Sequence, residues 1–146
     1  MTTQEQVSAQ QAMSGIVSAE RLAERFAEVF RTNDPSDVFA PDAFFDLNMP
    51  VWRFQIQGVE DFEAWARDFA PDGVEVSVLN TVPTISGFVT EHEVALTQDG
   101  ERMTARKMWL CEVREGMITE ATEYCSGGWD EALRRRHAVE APMIRP

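Results

Sequence analysis

Histidine, cysteine and tyrosine are nearly missing from this chain: two, two and one in 146 residues. Cys111 and Cys125 fit no CxxC or zinc spacing, so a cysteine-held metal or a disulfide scaffold is not expected. Both read as reduced thiols on neighbouring strands. With His92 and His137 far apart, no metal constellation forms, and no Ser-His-Asp arrangement is legible. Gly127-Gly128 lacks a following Lys-Ser/Thr, so there is no phosphate-binding loop. No run of about 20 apolar residues occurs, so no membrane span is expected. The N-terminus has neither the basic nor the apolar region of a signal peptide, and a cytoplasmic location is the expectation. Positive charge is also scarce. Thirteen Lys and Arg face 25 Asp and Glu, a net charge of −12. Such an acidic surface argues against nucleic acid or anionic membrane as a partner. The one basic run, Arg134-Arg135-Arg136, lies in a predicted helix. Side chains there diverge by about 100° per residue, so the run reads as a solvated face rather than one patch.

What the chain has is enough apolar residue, 44%, for one packed domain of ordinary size. Residues 1–17 read as a polar tail, extended or helical in part, 18–141 as the domain, and 142–146 as an extended arm. Ser18 is a candidate N-cap, followed by Leu22, Phe26, Val29 and Phe30 on one helical face. Thr32-Asn33-Asp34-Pro35 should end that helix, with a helical turn over Pro35 to Phe39. Phe44–Pro50 and Val51–Gln57 read as two short strands. In the second, Trp52, Phe54 and Ile56 alternate with polar residues. Phe62, Trp65, Ala66 and Phe69 define one face of a second helix. Val74–Val82, Gly87–Thr97, Met103–Val113 and Met117–Ser126 read as strands joined by short turns, with Asp99-Gly100 and Glu115-Gly116 as turn signals. Glu131–Val139 reads as a last helix. The expected fold is α+β: a cone-shaped, curved antiparallel (mixed) sheet wrapped around the N-terminal helices.

The segment from Arg114 to Trp129 carries the most information. Glu115-Gly116 turns the chain into a last strand that bears Glu123-Tyr124. With the element order and the Gly58–Trp65 stretch, this resembles the nuclear transport factor 2-like superfamily and its SnoaL-like group. The likeness spans roughly residues 18–141. It implies a homodimer formed through the outer face of the sheet, and a cup that takes a small-molecule ligand or substrate. Glu123-Tyr124 is similar to the acid-tyrosine pair of limonene-epoxide-hydrolase-like members, and Glu123 matches the glutamate of phenazine-biosynthesis members. The Arg-x-Asp of the epoxide hydrolases has no counterpart, since the comparable stretch reads Thr90-Glu91-His92-Glu93. Nothing matches the tyrosine oxyanion donor of the ketosteroid isomerases.

The candidate catalytic residues are therefore Glu123 and His92. Glu123 shares a strand face with Thr119, Ala121 and Cys125. A carboxylate on that face would be desolvated, as a general acid or base requires. His92 shares a face with Phe88, Thr90, Val94 and Leu96, which points an imidazole inward. Trp52 and Tyr124 are candidates for shaping the pocket. Arg106 is a candidate for binding an acidic group, for pairing with Glu123, or for an outer ion pair. Asp46 is a candidate polar group at the mouth, or a turn-stabilising residue. No cofactor or metal is implied. The expected function is acid/base catalysis (cyclisation, isomerisation, dehydration or hydrolysis) on a small, largely apolar or polyketide-like molecule. The alternative is a ligand-binding or protein-interaction module of the same fold.

Overall fold

The computed structural model describes residues 2–145. Helix α1 spans Thr3–Thr32. It begins much earlier than the Ser18 N-cap expected from sequence. The reason is a reciprocal capping box: the Glu5 N–H donates to Thr2 Oγ1 and the Thr2 N–H to Glu5 Oε2. Ser18 is then an interior helical residue. The early half buries almost nothing, with Val7, Met13 and Ile16 at least 42% exposed. The later half buries Leu22, Phe26 and Val29. The helix ends at Asn33, whose φ of 58° is left-handed and whose N–H returns to the Val29 carbonyl at 2.7 Å. The expected helical turn over Pro35 to Phe39 is instead a tight turn. Asp37 adopts φ 62°, which a continuing right-handed helix excludes, and Phe39 already opens a strand.

Strands β1 (Phe39–Met49) and β2 (Trp52–Gln57) form a hairpin, and α2 (Val59–Phe69) follows. Strands β3 (Glu75–Pro83), β4 (Gly87–Gln98), β5 (Glu101–Arg114) and β6 (Met117–Cys125) form the meander, and α3 (Glu131–Glu140) closes the chain. The order across the six-stranded sheet is β2-β1-β6-β5-β4-β3. β1 runs parallel to β6 and every other neighbouring pair is antiparallel. Both predicted turns have two successive left-handed residues: Asp99 and Gly100 at φ 52° and 78°, Glu115 and Gly116 at 53° and 77°. That backbone matches the twist of the flanking strands.

The helices fill the concave side of the sheet with rings. Phe26 meets Phe30, Phe39, Phe88 and Trp109 edge-on. Phe45 stacks on Phe62 at 3.8 Å. This aromatic mass is the core, and it lies directly over the strands that carry the candidate residues. Among the described residues, no helix is long and apolar enough to cross a membrane.

Candidate active site

Strand parity sets the inner face. On β4, Phe88, Thr90, His92, Val94 and Leu96 are all buried, as period-two alternation requires. On β5 the inward set is Ala105, Lys107, Trp109 and Cys111. On β6 it is Ile118, Ala121 and Glu123. The change of spacing between Ile118 and Ala121 marks a register shift: Val113 pairs with Ile118, yet Glu112 pairs with Glu120. The extra residue is Thr119, so it does not share the face of Glu123 as simple alternation predicts. A bulge flips the parity beyond it.

Register then assembles a cluster. His92 faces Lys107 across β4 and β5. Trp109 faces Thr90 on one side and Glu123 on the other. Lys107 lies one step diagonal to Glu123, and its Nζ donates to Glu123 Oε1 at 2.5 Å. Glu123 is 0% exposed and the lysine side chain 12%. At an effective dielectric of about 20, two charges this close attract by roughly 7 kcal/mol. Removing two ions from water costs several kcal/mol each, so the pair is near break-even as a stabilising device. Stability alone does not account for it.

Four buried polar atoms around this pair have no hydrogen-bond partner: Glu123 Oε2, Trp109 Nε1, and both ring nitrogens of His92. Burial, reinforced by the positive charges of Lys107 and Arg31, lowers the His92 pKa to about 4. The imidazole is therefore neutral at pH 7, with one donor and one acceptor nitrogen. Thr90, by contrast, is satisfied by the Asn80 carbonyl and Thr81. Apolar rings close over the cluster. Phe26 lies 5.8 Å from His92 and 5.0 Å from Trp109, and Lys107 Nζ sits 5.7 Å from the centre of the Phe69 ring. The arrangement can accept a proton at a carboxylate and offer hydrogen bonds beside it, within apolar walls. Among the described residues, no group of three or more His, Cys, Asp or Glu could hold a metal.

The other four sequence candidates lie outside this cluster. Tyr124 follows Glu123 directly, and consecutive strand residues face opposite sides; it is 62% exposed on the outer face. Trp52 has the parity of Phe54 and Ile56, but it is the first residue of β2 and stands 72% exposed. Arg106 points outward and pairs with Glu93 at 3.5 Å, so the cation that reaches Glu123 is its neighbour. Asp46 is held by Arg53 at 2.6 Å, which lowers its pKa. Sequence reasoning passed over Lys107 and Trp109. A signal existed: Lys107 is the only lysine among 13 basic residues, and it shares parity with Trp109 and Cys111.

Among the described residues, none of four cavities is lined by Glu123, Lys107, His92 or Trp109. One of about 500 Å³ lies near the Asp99-Gly100 turn, with Phe69 in its wall. Phe69 thus lines this cavity and also lies beside the Lys107 ammonium.

No protein-family model matches the sequence, and no curated protein matches it significantly. Solved structures do. An LEH-like epoxide hydrolase from M. tuberculosis superposes with TM-score 0.63 at 22% identity, covering 87% of this chain and 98% of that one. An NTF2-like protein from Anabaena variabilis gives 0.64 at 18%, covering 77% and 90%. IdmH, a putative polyketide cyclase from Streptomyces antibioticus, gives 0.60 at 18%, covering 74% and 91%. With two helices packed into a curved, mixed six-stranded sheet, the chain has the nuclear transport factor 2-like, SnoaL-like fold.

Proposed function

We propose that this protein is an acid/base enzyme acting on a small, largely apolar organic molecule within the cup. Its class of reaction is cyclisation, isomerisation, dehydration or hydrolysis. One observation carries the reading: four unpartnered polar atoms surround a buried ion pair under an aromatic roof. Buried polar groups are normally satisfied, and exceptions call for a missing partner. A ligand with one or two polar atoms would supply it. In this reading Glu123 Oε2 is the proton acceptor, because Lys107 occupies only Oε1. Neutral His92 and the Trp109 indole N–H hold a substrate oxygen. Phe69 is the side chain that moves to admit the molecule from the adjoining cavity.

The neighbours' printed activities, epoxide hydrolysis and polyketide cyclisation, define the substrates to try. A panel of small cyclic epoxides, ketones and polyketide-like aromatics should include one that the protein turns over. Glu123→Gln keeps the shape of the side chain and should lower that rate by about 10²–10⁴-fold, the usual contribution of a positioned acid or base. Equal rates in the two proteins remove Glu123 from the mechanism. That none of the four cavities described above touches Glu123 or Lys107 favours a second reading, a non-catalytic binding or interaction module. That reading gains if no panel member is turned over or bound.

The homodimer belongs to the same proposal. Met108 and Tyr124 face each other on the outer surface, with Leu110 nearby, and these are 46%, 62% and 42% exposed. A monomeric mass by light scattering would remove it.

A further inference from the structure

The basic run in α3 does not form a uniform solvated face. Arg135 and Arg136 pair within the helix with Glu131 and Glu140. Arg134 turns instead toward a cavity of about 680 Å³ between α3 and the outer side of the sheet. This volume is typical of small-molecule sites. Its cationic lining is Arg134 from α3, Arg106 from β5 and Arg145 from the C-terminal arm. Among the described residues, Glu93 is the one carboxylate in the lining, and it holds Arg106 at 3.5 Å. Arg134 Nε is buried without an acceptor. Among the described residues, neither Arg134 nor Arg145 makes an ion pair.

A chain with net charge −12 has therefore gathered three guanidinium groups around one cavity. Like charges brought together repel unless an anion joins them. The guanidinium fork matches a carboxylate, taking two parallel hydrogen bonds. The rest of the wall mixes the hydroxyls of Thr104 and Ser126 with Ala105, Trp129, His137 and Met143. Trp129 is pinned by backbone hydrogen bonds to Thr104 at 2.7 and 3.0 Å, and its ring lies 4.7 Å from His137. Met143 completes that side. The geometry points to a second binding site, separate from the cup, for an aromatic carboxylate: the carboxylate between Arg106 and Arg134, the ring against Trp129.

The probe is 2-naphthoate, titrated by calorimetry and by quenching of tryptophan fluorescence at low salt. Binding is expected to weaken about tenfold or more in Arg134→Gln and in Arg106→Gln, and less in Arg145→Gln on the exposed arm. The neutral analogue 2-naphthamide should bind at least about tenfold more weakly than the acid. Glu123→Gln should leave naphthoate binding unchanged, which keeps this site distinct from the cup. Arg106 and Arg145 lie outside α3, so their variants decide the matter even if Arg134→Gln fails to fold. The proposal is overturned if acid and amide bind alike, if the arginine variants bind as the wild type does, if Glu123→Gln abolishes binding, or if naphthoate does not bind.

Discussion

Lys107→Met should destabilise the fold by about 3–5 kcal/mol, the cost of stranding a buried charge. Glu123 is fully buried and its second oxygen has no partner. Among the described residues, the lysine is therefore its only side-chain donor. The double variant Lys107→Met/Glu123→Leu should recover most of the loss, because a well-packed apolar pair can match a buried ion pair. Urea unfolding of the four proteins closes the cycle. The contrast with Arg135–Glu131 is direct: those side chains are 75% and 72% exposed, and breaking that pair should be barely measurable. A Lys107→Met protein as stable as the wild type would show that Glu123 is solvated or otherwise paired.

Acid should weaken the protein between pH 6.5 and about 4 through His92. His92 has a folded pKa of about 4 against an ordinary value of 6.5. Above 6.5 the imidazole is neutral in both folded and unfolded chains. Between 6.5 and 4 the unfolded chain takes up a proton that the folded chain refuses. Stability therefore falls as pH falls through this window, and the contribution levels off below it. The full effect is roughly 3 kcal/mol, at about 1.4 kcal/mol per pH unit. Asp46 and Glu75 are held low by Arg53 and Arg102, so their losses come at lower pH. Chemical denaturation from pH 7 to pH 4.5 should show the slope in the wild type and a flatter line in His92→Leu. Identical slopes would mean that His92 reaches water or a partner.

Local signals in the sequence carried much of this structure. Two Xaa-Gly turns placed the meander, because their left-handed backbone admits few alternatives. Unbroken alternation through β4 oriented His92. What escaped was non-local. The parallel pairing of β1 with β6 joins residues some 75 apart, Asp46 with Thr122 for example, and leaves no mark in either segment. The bulge at Thr119 changes parity without a glycine to announce it. Arg106 and Lys107 are adjacent basic residues on opposite faces, and only the register of β5 against β6 decides which reaches Glu123. The start of α1 was hidden because its first half buries so little, so apolar periodicity pointed to the later half. The acid-tyrosine pair carried the likeness of fold, but consecutive strand residues face opposite sides, so Glu123 is buried while Tyr124 stands 62% exposed.

The most direct test is carbon-13 NMR of the protein labelled at glutamate Cδ, titrated with cyclohexanone and with cyclohexene oxide. If the cup is the working site, the Glu123 carboxyl resonance moves with ligand concentration, and the His92 ring signals move with it. If both stay fixed up to the solubility limit of each compound, or if only resonances outside the cup respond, the carboxylate is a sealed structural charge and not a reagent.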